Sequence, residues 1–142
     1  MKPKEYLQQV QKLDVMINQK IAEKSELRKF DGVSGIDYSG DKVQSSPKGD
    51  APFTKSVERI IDLEKEIDDM IDQYVNLKDQ IINEIQSLSN VTYIEILYKR
   101  YIKYKRLEVI AVELGYSYQY VRVMHGYALQ EFEKAVLKVS TQ

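Results

Sequence analysis

The chain has 142 residues, of which 30% are charged and 43% hydrophobic, and its formal net charge is −1. This length allows one medium domain or two small ones, and it excludes the multi-lobed interior of a large enzyme. Because cysteine is absent, disulfides, thiolate zinc sites and cysteine nucleophiles are excluded. No apolar run is long enough to span a membrane and the N-terminus lacks an apolar signal core, so we expect a cytoplasmic protein without a membrane partner.

The small net charge hides a segregation of charge along the chain. Residues 50–90 carry four basic and ten acidic side chains, whereas residues 91–142 carry eight basic and five acidic ones. Such asymmetry says more about partners than the total charge does. The middle of the chain should repel phosphate, and the C-terminal third is the part that could accept it.

The first predicted element is an amphipathic helix over residues 1–30. Its apolar residues mostly recur at spacings of three and four, which places them on one helical face. These residues are Tyr6, Val10, Leu13, Ile17, Ile21 and Leu27. Residues 31–53 are rich in glycine, serine, proline and aspartate without an apolar period, and they predict a loop or flexible linker.

Residues 54–89 predict a long helix with a heptad repeat, roughly 50 Å in length. Thr54 and Ser56 are candidate N-caps, and the polar residues Glu64 and Lys78 interrupt the apolar stripe. The stripe contains Val57, Ile60, Leu63, Ile67, Met70, Ile71, Tyr74, Leu77, Ile81, Ile85 and Leu88. It must pack against the first helix, a second copy of the chain, or both, and we expect a homo-oligomer, namely a dimer.

Residues 90–142 predict three short helices, at about 92–103, 107–114 and from 118 into the 130s. The predicted inner residues are Ile94, Leu97, Tyr98, Tyr101, Leu107, Ile110, Ala111, Leu114, Val121, Met124 and Leu129. The last two helices have the features of a helix-turn-helix. Ala111 allows close helix approach, Gly115 permits a left-handed turn, Ser117 caps the third helix and Val121 anchors it.

The segment LEVIAVELGYSYQYV resembles the region 4 helix-turn-helix of sigma factors, which has the pattern L-x-x-I-A-x-x-L-G-x-S-x-x-x-V. The whole chain resembles the phage late-transcription regulators of the ArpU and RinA type, most specifically over residues 94–137. The resemblance implies an all-α protein, with a long helical hairpin or coiled coil before a C-terminal sigma-like domain. It further implies a DNA-binding transcriptional regulator of phage or prophage origin, whose third helix recognises promoter DNA. We expect the long helices to provide either dimerisation or contact with host RNA polymerase.

The resemblance also implies which residues contact double-stranded DNA. The base-reading residues would be Tyr118, Gln119, Arg122, Val123 and Gly126, with Arg122 suited to guanine and Gln119 to adenine. The backbone contacts would be Lys99, Arg100, Lys103, Lys105, Arg106 and Ser117. The sequence departs from the family at Tyr104-Lys105-Arg106, where a Ser or Thr cap usually precedes the second helix.

The remaining polar residues do not predict catalysis. His125 is the one histidine, so we expect a polar surface or groove-facing residue, with no metal site or cofactor and no enzymatic activity. The acidic residues between Asp62 and Asp72 predict a solvated helix face. Two alternatives remain open: a small terminase subunit, which forms larger rings, and an RNA-polymerase-binding protein without its own DNA specificity.

Overall fold

The computed structural model describes residues 1–37 and 47–138, and it describes side-chain surroundings for residues 1–29 and 54–138. This part is all-helical and contains no strand, which confirms the predicted all-α class. Its α-helices are α1 (Pro3–Asp37), α2 (Pro47–Gln86), α3 (Val91–Leu97), α4 (Leu107–Leu114) and α5 (Tyr118–Phe132). One π-helical turn continues α3 over Tyr98–Ile102 and another continues α5 over Glu133–Leu137. Within these ranges no helix is long and apolar enough to cross a membrane.

The two long helices extend into the segment predicted as a linker. Helix α1 continues to Asp37 and α2 begins at Pro47, so the linker predicted over residues 31–53 is wrong at both ends. A glycine inside a helix costs only about 1 kcal/mol relative to alanine, so Gly32 and Gly35 do not force α1 to end. Proline suits a first helical position because its missing N–H would have no partner there. Residues 38–46 lie outside the described residues.

The chain divides into two compact units, and their boundary lies inside the long helices. The C-terminal unit combines Met1–Asp14 with Tyr74–Gln142, and the helix-pair unit is Val15–Gln73. The predicted boundary at residue 90 therefore falls within a compact unit. The start of α1 and the end of α2 belong to the same unit as α3, α4 and α5.

In the helix-pair unit, α1 and α2 meet through a small apolar core and ion pairs. Ile17, Leu63 and Ile67 are buried. The ion pairs include Lys20 Nζ to Glu66 Oε2 at 2.9 Å, Arg28 Nη2 to Glu64 Oε1 at 2.6 Å, and Arg59 Nη2 to Glu23 Oε2 at 3.1 Å. Glu64 and Glu66 are thus bound to α1 rather than free on a solvated face. Ion pairs at the surface contribute little to stability, so these pairs fix how α1 and α2 align rather than how stable the unit is.

The C-terminal unit contains the larger apolar core, which joins residues from both ends of the chain. Tyr6 reinforces it, since its ring centroid lies 5.9 Å from that of Phe132 and its hydroxyl donates to Glu84 Oε1 at 2.5 Å. Burial and the Glu84 carboxylate raise the pKa of Tyr6 to about 12. The buried members are Leu7, Val10, Ile81, Ile85, Leu88, Leu97, Tyr101, Ile102, Ala128 and Phe132.

A second, smaller core lies among α3, α4 and α5. Its buried residues are Ile96, Ile110, Ala111 and Val121, with Leu107, Leu114 and Met124 packed against it. Burial of Ala111 and Val121 confirms their predicted inner positions.

The predicted apolar faces of the long helices have two exceptions, since Ile21 and Ile71 are exposed.

Candidate nucleic-acid interface

The turn between α4 and α5 has the geometry that its sequence predicts. Gly115 adopts a left-handed conformation with φ of 76°. The N–H of Tyr116 donates to the Ala111 carbonyl at 2.9 Å and that of Gly115 donates to the Val112 carbonyl at 3.3 Å. This pair of bonds is the Schellman motif, which terminates a helix by satisfying its last carbonyl groups. The chain therefore reverses sharply after α4.

Side chains cap the N-termini of two helices in this unit, α5 and α3. Ser117 Oγ accepts a hydrogen bond from the N–H of Tyr120 at 3.1 Å, which confirms the predicted cap of α5. Asn90 Oδ1 accepts from the N–H groups of Thr92 and Tyr93 at 2.9 and 3.2 Å and caps α3. No cap was predicted for the first of the three short helices, although asparagine is among the strongest N-capping residues.

The connection into α4 has no capping side chain. Arg106 occupies the N-cap position without a side-chain cap bond, which agrees with the departure from the family pattern at this point. Tyr104 just before it has a positive φ of 59°, which is unusual for a bulky residue. Its hydroxyl is buried beside Tyr74 and Asp14, and burial together with these neighbours raises its pKa. Packing of the Tyr104 ring therefore holds a backbone conformation that the sequence pattern did not predict.

Helix α5 presents four of the predicted base-reading residues on its exposed side. Tyr118, Gln119 and Arg122 are exposed, and Val123 is 53% exposed. The Arg122 guanidinium carbon lies 6.0 Å from the centroid of the Tyr118 ring, so the two side chains are neighbours. The fifth predicted residue, Gly126, is partly buried, with open space where a Cβ would lie.

Three of the five cations predicted to contact the DNA backbone are bound to groups of the chain itself. Lys99 Nζ lies 2.9 Å from Glu113 Oε1, and Lys105 Nζ lies 2.6 Å from Glu113 Oε2. Hydrogen bonds from Lys105 and then Lys99 hold the pKa of the Glu113 carboxyl below its usual value. Arg100 Nη1 donates to the Lys105 carbonyl at 3.1 Å. Sequence reasoning missed Glu113, because its partners lie eight and fourteen residues away.

Lys103 and Arg106 are the exposed cations of the predicted backbone set. Lys103 Nζ lies 5.9 Å from the centroid of the Tyr98 ring. A groove of about 440 Å³ runs beside it, and its lining is Gln86, Ile94, Glu95, Tyr98, Lys99, Lys103 and Lys105. The basic residues therefore gather along one groove, but two of the three lysines face a carboxylate.

His125 does not occupy the polar surface or groove-facing position that the sequence predicted. Its Nε2 atom lies 2.7 Å from the Tyr101 hydroxyl, and the two rings stack with centroids 5.7 Å apart. Burial, reinforced by the positive charges of Arg100 and Lys4, lowers the pKa of His125 from 6.5 to about 4. The imidazole is therefore uncharged at neutral pH and forms part of the packing of α5.

Comparisons with protein-family models, curated proteins and solved structures find no match to this chain. Among the described residues, no group of three or more histidine, cysteine or acidic side chains is placed to hold a metal ion. The polar surface that the predicted site residues share consists of the start of α5 and the lysine groove.

Proposed function

We propose that the chain is a sequence-specific DNA-binding transcription regulator of phage type, which recognises promoter DNA through a sigma-like helix-turn-helix. One observation carries the proposal. Helix α5 begins at a sharp turn with a capping serine and buries Val121 completely. It leaves Tyr118 and Gln119 exposed in its first turn and Arg122 exposed one turn later. A recognition helix requires this division, because one face must be anchored while the other enters the major groove.

In this reading the start of α5 supplies the base contacts. Arg122 pairs with O6 and N7 of guanine, and Gln119 pairs with N6 and N7 of adenine. Tyr118 lies against the Arg122 guanidinium and restricts the directions in which it can point. Val123 offers an apolar contact for a thymine methyl group.

Phosphate contacts position the helix in the groove. Ser117 lies at the N-terminus of α5, where free N–H groups favour an anion, and Lys103 and Arg106 extend the basic surface. Since only Arg122 among the exposed residues at the start of α5 is cationic, the affinity of one copy is modest. We therefore propose that two copies act together, with the long helices providing contact to a second copy or to RNA polymerase.

The test is in-vitro selection of bound duplex DNA, followed by affinity measurement on the selected sequence. We expect Arg122→Ala and Gln119→Ala each to weaken binding about 10- to 100-fold and to relax the base preference at one position. Lys134→Ala is the matched control, since this exposed lysine lies in the π-helical turn after α5. Selection that enriches no sequence, or equal losses in all three variants, would contradict the proposal.

A second candidate function, polymerase binding without DNA specificity, is favoured by one surface feature. Val112 on α4 is 81% exposed, and beside the turn Tyr116 contacts Tyr120 edge-on with ring centroids 4.8 Å apart. Exposed apolar and aromatic side chains of this kind suit a protein partner. Salt dependence separates the two functions, because phosphate contacts make affinity fall steeply as salt rises. If the chain does not bind DNA, or binds it with an affinity that does not change with salt, the polymerase-binding function is favoured.

A further inference from the structure

Glu113 lies between Lys99 and Lys105, two lysines that the sequence predicted to contact the DNA backbone. Its two carboxylate oxygens each meet one ammonium group, Lys99 at 2.9 Å and Lys105 at 2.6 Å. The two lysines come from different segments. Lys99 lies in the π-helical turn, and Lys105 lies in the connection between that turn and α4. The carboxylate thus joins α4 to the basic segment ahead of it.

The arrangement occupies the groups that a phosphate would need. A phosphate oxygen between Lys99 and Lys105 would take the positions that the Glu113 oxygens now hold. The two hydrogen bonds lower the pKa of this carboxyl further below neutral pH. The ionised Glu113 therefore reduces the combined charge of Glu113, Lys99 and Lys105 to +1. Lys103 lines the same groove and has no carboxylate partner within residues 1–29 and 54–138.

We propose that Glu113 is a positioning residue that withholds Lys99 and Lys105 from phosphate and thereby limits the sequence-independent part of DNA affinity. The inference rests on the proposed function. Glu113 takes no part in base recognition by α5, so it lowers the affinity for selected and random duplexes alike. The ratio of their affinities is set elsewhere, at Gln119 and Arg122.

The test is a salt titration of DNA binding by Glu113→Gln, on both the selected duplex and a random one. Each released lysine that neutralises a phosphate steepens the slope of log affinity against log salt by about 0.9, so we expect a change between about 0.9 and 1.8. Affinity for both duplexes rises roughly tenfold near 0.1 M salt, because two cations lose a competing anion. The ratio of the two affinities stays unchanged.

Glu108→Gln is the matched control, since Glu108 lies on the same helix, is exposed and makes no ion pair within the described residues. It changes the net charge by the same amount without releasing a lysine. Glu113→Asp keeps the charge and should return the slope toward that of the unmodified chain. Adding Lys99→Gln and Lys105→Gln to Glu113→Gln should remove the gain in DNA affinity and the steeper salt slope.

Two results would overturn the inference while leaving the proposed function intact. Equal salt slopes for Glu113→Gln and Glu108→Gln mean that only net charge matters. Weaker binding by Glu113→Gln means that the carboxylate arranges the lysines for phosphate rather than withholding them. Thermal melts of each variant by circular dichroism establish that the helices are retained.

Failure of the proposed function has a different signature, which is the absence of duplex binding by the unmodified chain and all variants. Retention on a heparin column then tests Glu113, because sulfate groups probe the same lysines without any base sequence. Later elution of Glu113→Gln than of Glu108→Gln supports withholding of the lysines. Coincident elution overturns it.

Discussion

His125 is the residue whose environment departs furthest from its sequence prediction, and it makes stability depend on pH. Its folded pKa of about 4 lies below the usual 6.5, because the ring is packed against Tyr101 and faces the charge of Arg100. The unfolded chain therefore binds a proton more readily than the folded one. The stability contributed by the neutral ring is complete above pH 6.5 and is lost as pH falls toward 4.

We expect the free energy of unfolding, measured with urea, to fall by about 1 kcal/mol between pH 7 and pH 5, a value reduced for the partial exposure of the ring. This window lies above the range in which the carboxyls of Glu66 and Glu113, whose pKa values are lowered, take up protons. His125→Gln should remove the dependence within the window. Constant stability of the unmodified chain from pH 7 to pH 5 would show that the imidazole is not buried as described.

Local sequence signals correctly predicted the residues that shape the α4–α5 turn. Turn, cap and packing requirements act over a few residues, and they were met at Gly115, Ser117, Ala111 and Val121. The Glu113 contacts were not predicted. They depend on how the chain folds back over fourteen residues, and no periodic pattern records that distance.

At the scale of the element, the two glycines of the α4–α5 segment should respond oppositely to alanine. Gly115→Ala places a Cβ at φ of 76° and should lower the free energy of unfolding by about 1 kcal/mol. Gly126→Ala lies within α5 with open space around the added carbon, and should raise it by up to about 1 kcal/mol. Urea denaturation of both variants checks the signs. A change of the same sign in the free energy of unfolding of both variants would contradict the left-handed turn at Gly115.

Element boundaries were the least predictable part of the fold. Apolar periodicity predicted the buried faces at Val10, Ile67 and Ile81, because burial of one face is what imposes the period. The helix ends near residues 31 and 53 were predicted from glycine and proline, whose preferences are weak beside the continuity of a long helix. Propensity over a few residues could not reveal how far α1 and α2 extend.

At the scale of the whole molecule, the C-terminal unit depends on the first turns of α1. Leu7 is fully buried in the same core as Phe132. Leu7→Ala should therefore lower the free energy of unfolding of this unit by about 3 kcal/mol. Ile21→Ala, at an exposed position of the helix-pair unit, should change it by only a few tenths of a kcal/mol.

Hydrogen exchange of the amides of α3 and α5 reports on the C-terminal unit separately from the rest of the chain. Leu7→Ala should speed exchange there. Unchanged exchange would mean that α3, α4 and α5 hold together without the start of α1. The sequence did not predict this dependence, since Leu7 lies off the predicted apolar face and Phe132 beyond the predicted inner residues.

The position of Leu7 and Phe132 in one core has a consequence for synthesis on the ribosome. Leu7 is synthesised 125 residues before Phe132, and at about 5–20 residues per second this interval lasts roughly 6–25 seconds. Ile81 and Ile85 of the same core are synthesised earlier, but the core stays incomplete until Phe132 is made. Until Phe132 has been synthesised, the nascent protein therefore carries this core unfinished, and its yield in a cell should depend on chaperones that shield exposed apolar segments.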